Sequence, residues 1–145
     1  MKINKLNLQN MNRSTVSSCH SLKIIPLSLL SRFARFGSRV SMMLLGEAID
    51  AEAVPGSIKI STTTDNGKVK KKITFERSDV SAAVADRLDR FKVLRLVATY
   101  VDESGKRRVA GSPNWPLALD YTTEGGVFSV NLQGEDVRPD AFLTD

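Results

Sequence analysis

The sequence predicts an α+β fold in which a small antiparallel β-sheet of five or six strands is covered on one face by a single helix. Short segments that alternate apolar and polar residues recur after residue 56, and an Asn-Gly dipeptide separates the first two of them. One segment with apolar residues at helical spacing follows the second strand. These three observations give the element order ββαββββ.

The first two predicted strands form a β-hairpin. Residues 57–63 and 68–76 alternate apolar with polar residues, which is the pattern of strands buried on one face only. Asn66-Gly67 lies between them and favours a two-residue type I′ turn, because both residues tolerate a positive φ.

The predicted helix spans residues 79–91 and is capped by Ser78 or Asp79. Its apolar residues share one face, which we expect to pack on the sheet. They are Val80, Val84, Leu88 and Phe91. Four more strands are predicted from alternating or β-branched residues bounded by turns. They are residues 92–101, 106–110, 117–122 and 127–132.

The positive charge of the chain lies at its N-terminal end. The formal net charge is +5, but residues 1–46 contain seven basic residues and no acidic one. Residues 47–145 contain fourteen basic and sixteen acidic residues, a net charge of −2. A basic binding face that covers the whole protein is therefore excluded. We predict a basic, largely disordered N-terminal arm, residues 1–46, and a compact domain, residues 47–145.

Two patterns occur within this arm. Residues 1–23 show no sustained period, which is typical of a mobile tail, whereas residues 27–40 place apolar residues on one helical face. Three interpretations remain open: an organellar targeting segment, a flexible basic arm for nucleic acid or a membrane or partner surface, and translation from a start upstream of Met42 or Met43. Because every core pattern other than this helix lies after that point, we expect a chain that starts at Met43 to fold as well as the full chain.

Most catalytic chemistry is excluded by residue type. The single cysteine, Cys19, and the single histidine, His20, are adjacent in the arm, so the domain has neither. Ser-His-Asp and Cys-His catalysis, histidine-bound metals and disulfides are excluded there. No phosphate-binding loop motif and no apolar run long enough for a membrane span occur, and we predict no cofactor and no metal. Carboxylates such as Asp86 are the remaining candidates for catalysis, and Asp86 is more simply a surface partner of Arg90.

The loop Pro113-Asn114-Trp115-Pro116 is the first candidate for partner binding. Two prolines stiffen it, and it holds the single tryptophan of the chain. The favoured interpretation is that Trp115 caps the core. The alternative is that the indole anchors a partner, because interface hot spots favour tryptophan on a rigid support.

Basic side chains are the second candidate. Lys70 and Lys72 share the polar face of the second strand, and Arg107 and Arg108 follow a turn. The simpler interpretation is a solvated face or an edge strand that blocks unwanted strand addition. The alternative is contact with phosphates, although no aromatic residues alternate with these side chains as they do where bases stack.

The segments VATYVDESGKRRVAGSPNWPLALDY and EGGVFSVNLQG lie within residues 92–132. In the order of their strands and turns they resemble small tail-module proteins of phages and prophages of gut bacteria. The likeness covers about 75 residues, from Phe75 onward with the preceding hairpin, and it includes none of residues 1–46. The resemblance implies a virion-associated or assembly role in the virion or the host cytoplasm, with neighbouring subunits as partners. It implies no catalytic residue.

The sequence therefore predicts a non-enzymatic structural or assembly protein that acts through protein–protein contacts. We expect its partners to be copies of itself or neighbouring subunits, without integral membrane association. The alternative is a basic-arm protein that is imported into an organelle or binds nucleic acid. A small carboxylate-dependent enzyme is the third choice.

Overall fold

Twelve strands and one helix make up the part of the chain that the computed structural model describes, residues 13–144. The strands are β1 (Arg13–Ser18), β2 (His20–Pro26), β3 (Leu30–Phe36), β4 (Arg39–Leu44), β5 (Ile49–Asp50), β6 (Lys59–Asp65), β7 (Lys68–Arg77), β8 (Leu96–Val101), β9 (Arg107–Ala110), β10 (Ala118–Glu124), β11 (Val127–Asp136) and β12 (Ala141–Leu143). The helix α1 spans Ala82–Lys92, and a 3₁₀ turn, Leu27–Leu29, connects β2 to β3.

The strands form two sheets. The five-stranded sheet has the order β1-β6-β7-β11-β10, and the seven-stranded sheet has the order β3-β4-β12-β9-β8-β2-β5. Neighbouring strands are antiparallel except β4 and β12, which are parallel. The predicted α+β class with one helix is confirmed. The single sheet of five or six strands is wrong, because strands from before residue 46 extend one sheet and build much of another.

The predicted hairpin is confirmed in its turn and in its faces. Asn66 and Gly67 have φ values of 52° and 79°, as a type I′ turn requires. Along β7, exposed lysines alternate with buried side chains.

The helix begins three residues later than predicted, because Ser81 has an extended backbone and its side chain accepts a hydrogen bond from the Val84 N–H at 3.3 Å. Val80 therefore lies before the helix and is exposed.

The expected disordered arm and its helix are corrected by the structure. Residues 13–44 form β1 to β4, and residues 1–12 lie outside the described part of the chain. Where a helix over residues 27–40 was expected, β3 and β4 form a hairpin that turns at Gly37, which has a φ of 62°. In a strand the three-residue spacing places Phe33 and Phe36 on opposite faces, so Phe33 packs inward while Phe36 is 71% exposed.

The seven-stranded sheet is rolled rather than flat. Pro26 ends β2, the sixth strand in the order, and Leu30 begins β3, the first. Five strand spacings across a flat sheet span roughly 24 Å. Four residue steps reach at most about 14 Å. The sheet must therefore curl until its two ends approach each other.

Rolling the sheet creates two hydrophobic cores on its two faces. The larger core lies between the sheets, and its largest members include Leu22, Ile24, Ile73, Phe75, Leu88, Leu96, Leu132 and Phe128. The smaller core lies on the other face, inside the roll, and consists of Ile25, Val40, Val97, Val109 and Ala141 with partly buried neighbours such as Phe33 and Met42. Both cores contain residues from before Met43. The premise of the expectation for a chain that starts at Met43, namely that the core patterns lie after that residue, is therefore wrong.

Ile24→Ala tests this contribution of the N-terminal strands. Ile24 is 2% exposed in the larger core, so its truncation is expected to lower the free energy of unfolding by about 2–5 kcal/mol in urea denaturation. The matched control is Val16→Ala in β1, which is 69% exposed and is expected to change it by about 0.5 kcal/mol at most. Similar small effects of both substitutions would contradict the packing of β2.

Candidate partner-binding cleft

The loop that carries Trp115 is held as a tight turn. Ser112 and Trp115 exchange two backbone hydrogen bonds of 3.1 Å, and the Ser112 Oγ also accepts a bond from the Trp115 N–H. Leu117 and Leu96 exchange two further backbone bonds of 2.8 and 3.0 Å, which join the end of the loop to β8. The indole is therefore presented from a fixed backbone.

Two glycines allow this loop to lie close to the sheets. Gly111 has a φ of 86°, and a Cβ there would lie 3.1 Å from the Leu117 Cγ. At Gly134, in β11, a Cβ would lie 2.8 Å from a Leu117 methyl carbon and 3.0 Å from the Pro116 carbonyl oxygen. Any larger residue at either glycine would push the loop outward or strain it.

Trp115 does not cap the core. It is 41% exposed and belongs to neither hydrophobic cluster, whereas the neighbouring Leu117 is buried. The favoured interpretation of the indole as a core cap is therefore wrong, because the turn from Ser112 to Trp115 directs Leu117 inward in its place.

The indole instead forms one wall of a cleft of about 290 Å³. Ser112 lies in the same wall. Of the four residues of the loop predicted from sequence, Pro113, Asn114 and Trp115 line the cleft. The remaining lining residues come from two distant parts of the chain. They are Phe33 and Arg35 of β3, Asp136 at the end of β11, and Arg138 just after it.

Two guanidinium groups give this cleft a positive charge. The Arg35 Nε donates to the Gly37 carbonyl at 2.9 Å, and its Nη2 donates to the Pro139 carbonyl at 3.1 Å. Partial burial lowers the pKa of Arg35, and the neighbouring charge of Arg138 lowers it further. The Asp136 carboxylate accepts bonds from the backbone N–H groups of Val137 and Arg138.

A buried polar cluster lies beside the cleft and joins the two sheets. We call Lys71, Tyr100 and Asp140 the clasp. The Lys71 Nζ lies 2.9 Å from the Asp140 Oδ1, with the two side chains 8% and 5% exposed. The Tyr100 hydroxyl donates to the Asp140 Oδ2. Burial raises the pKa of Tyr100, and the Asp140 charge and hydrogen bond raise it further, so the phenol stays protonated.

Arg108, a predicted candidate, supports the clasp. Its Nη2 donates to the Asp140 carbonyl at 2.7 Å, and its Nη1 donates to the Asp102 carboxylate at 3.2 Å. Burial raises the pKa of Asp102, but hydrogen bonds from Ser104, Lys106 and Arg108 outweigh it and hold the pKa at about 2. Arg107 is exposed and lines a different depression, beside Lys23 and Thr99. Neither arginine lines the Trp115 cleft.

Lys70 and Lys72 lie on the outer face of the five-stranded sheet. They line a separate cleft of about 380 Å³ with Ser61, Thr63 and Gln133. The interpretation that they protect an edge strand is wrong, because β7 is paired on both sides, with β6 and β11. Lys70 lies opposite Glu135 on β11, which reduces the positive charge of this face.

Cys19 and His20, the single cysteine and the single histidine of the sequence, do not form a catalytic pair. Cys19 is half-buried, and burial, together with the charges of Asp140 and Asp102, raises the pKa of its thiol to about 12. His20 is exposed and contacts Ser21. Among residues 13–144, no three His, Cys, Asp or Glu side chains lie close enough to hold a metal ion.

Comparison with family models, curated proteins and solved structures gives no match to the chain. Within the described part of the chain, no helix is long and apolar enough to cross a membrane.

Gly111→Ala tests whether close packing holds the Trp115 loop. The matched control is Gly105→Ala, because Gly105 has a similar φ of 83° but no atom within 4 Å of its Cβ position. Both substitutions are expected to cost about 1–2 kcal/mol of backbone strain. Gly111→Ala is expected to cost a further 1–3 kcal/mol or so from overpacking, measured by urea denaturation. Equal losses in the two variants would contradict the close approach.

Proposed function

We propose that this protein is a non-enzymatic assembly module that acts through protein–protein contacts, with the Trp115 cleft as a contact site. The observation that carries this proposal is the exposed indole on a turn fixed by backbone hydrogen bonds, beside two arginines. Tryptophan and arginine are enriched among interface residues that dominate binding energy. A rigid support lowers the entropy lost on binding.

The arrangement of the buried ionisable groups favours this role over catalysis. Each member of the clasp has another member as its hydrogen-bond or ion-pair partner, so the cluster neutralises itself. Such a cluster is suited to joining two sheets. Lys71, Tyr100 and Asp140 line a cleft of about 370 Å³, but their polar atoms bond to one another, whereas an acid–base site needs such a group directed at its substrate.

A second surface supports the more specific proposal of a phage or prophage tail component. Phe36 pairs with Arg39, and Arg39 pairs with Phe142, so these side chains form one row across β3, β4 and β12. Phe36 is 71% and Phe142 39% exposed. A subunit that assembles into rings or tubes needs two different contact surfaces, and this row is separate from the cleft.

The alternative proposal of nucleic-acid binding is supported by the exposed lysines of β7. Lys68, Lys70 and Lys72 project from the same face of the five-stranded sheet. Such binding would weaken steeply as salt increases, because it depends on released counterions.

Trp115→Ala tests the proposed contact site. Because the indole lies outside both cores, we expect the free energy of unfolding to fall by less than about 1.5 kcal/mol, well below the 3–5 kcal/mol typical of buried aromatics. We expect assembly of the full chain, followed by light scattering over a concentration series and by electron microscopy, to be lost. The control is Val93→Ala, which removes another exposed apolar side chain and should leave both unchanged.

Two results would contradict this proposal. Assembly that is unchanged in Trp115→Ala would exclude the cleft as a contact site. A wild-type chain that stays monomeric at all concentrations would contradict self-assembly into a tail structure.

A further inference from the structure

We propose that the Trp115 cleft binds an acidic peptide segment of a protein partner, with a carboxylate between Arg35 and Arg138 and an apolar side chain against Trp115 and Phe33. This inference rests on the proposed function and names the chemistry of the partner. It is drawn from the charge, the hydrogen bonds and the walls of one cleft.

The charge of the cleft favours an anion. Arg35 and Arg138 both line it, and the single acidic residue of its lining is Asp136. One oxygen of that carboxylate already accepts two backbone N–H groups, at 2.6 and 3.3 Å. With Asp136 the lining carries a formal net charge of +1, which one bound carboxylate would neutralise.

Arg35 is held in place for such a ligand. Two of its three nitrogens donate to the backbone carbonyls of Gly37 and Pro139, while Nη1 forms no hydrogen bond within residues 13–144. The backbone bonds fix the plane of the guanidinium, so little rotational freedom is lost when Nη1 binds a carboxylate. Charge-assisted hydrogen bonds of this kind are among the stronger ones in proteins.

The walls of the cleft favour a peptide over a bare anion. Trp115, Pro113 and Phe33 supply apolar surface that an inorganic anion cannot use. The volume of about 290 Å³ corresponds to roughly ten water molecules. This volume suits one or two side chains, consistent with a segment of chain that crosses the cleft.

The surroundings disfavour nucleic acid in this cleft. A single strand needs a continuous positive track for its phosphates as well as an aromatic stacking surface. The lining supplies only two arginines beside one aspartate, and the exposed lysines of β7 line a different cleft. A partner with short acidic and apolar stretches fits better than a polyanion.

The experiment uses the single tryptophan of the chain as the reporter. The full-length protein is titrated with the peptide acetyl-Glu-Leu-Glu-Leu-amide and with its neutral analogue acetyl-Gln-Leu-Gln-Leu-amide, while Trp115 emission is followed. We expect saturable binding of the acidic peptide and at least about tenfold weaker binding of the neutral one, as loss of a charge-assisted bond implies. Equal binding of the two peptides, or no binding of either at millimolar concentration, would overturn the proposal.

The role of Arg138 in binding the carboxylate is tested by one variant and a matched control. Arg138→Gln is expected to weaken the acidic peptide about tenfold and to remove the preference over the neutral one. Arg87→Gln removes an exposed arginine of α1 outside the cleft and should leave both affinities unchanged. Tighter binding of oligo(dT) than of the acidic peptide would overturn the proposal in favour of nucleic acid.

Failure of the acidic-peptide proposal can be distinguished from failure of the proposed function. If Trp115→Ala abolishes assembly but Arg138→Gln changes neither assembly nor peptide binding, the inference about acidic partners fails and the contact site stands. If Trp115→Ala leaves assembly intact, the proposed function itself fails.

Discussion

A buried ion pair between Lys71 and Asp140 joins the two sheets, and the candidate cleft is built beside it. Lys71 belongs to β7 in the middle of the five-stranded sheet, whereas Asp140 immediately precedes β12 of the rolled sheet. Tyr100 and Arg108 bind the same aspartate from β8 and β9. Burying two charges is costly, so their partners must be held closely in place. A small change in how the sheets pack would separate them.

The same aspartate positions the candidate cleft. Pro139 precedes it in the chain, and the Pro139 carbonyl accepts a hydrogen bond from Arg35. Arg138 lies one residue further back and lines the cleft. The opposite wall is set by Gly111 and Gly134, which let the Trp115 loop approach β8 and β11. The packing of the core and the proposed contact site are thus connected through a few residues.

Local signals in the sequence predict local structure well. The Asn66-Gly67 turn, the alternation along β7 and the helical stripe of Val84 and Leu88 all depend on residues close together in the chain, and the structure confirms each. The class of fold and the order ββαββββ, which corresponds to β6 through β11, follow from them, whereas the short strands β5 and β12 are absent from the predicted order. The Trp115 loop is also recognisable, since its prolines and single tryptophan are local features.

The strands before residue 46, and the wall of the cleft that holds Arg35, form through contacts with residues far away in the sequence. β2 pairs with β8, and Arg35 contacts a carbonyl 104 positions away. A lack of acidic residues resembles the composition of a mobile tail, but strand pairing with distant segments overrides it. The alternation along β7 does place Lys71 on the inward face between Val69 and Ile73, but no local pattern identifies Asp140 as its partner, because that contact needs both sheets.

A double-mutant cycle on Lys71→Met and Asp140→Asn, measured by urea denaturation, tests most directly the claim that this pair joins the sheets. Each single substitution leaves a buried charge without its partner, which costs about 3–5 kcal/mol. Because the double variant removes both charges, the account predicts that it is more stable than the sum of the single losses implies, by more than about 1 kcal/mol. Losses that add to within about 0.5 kcal/mol would contradict the account.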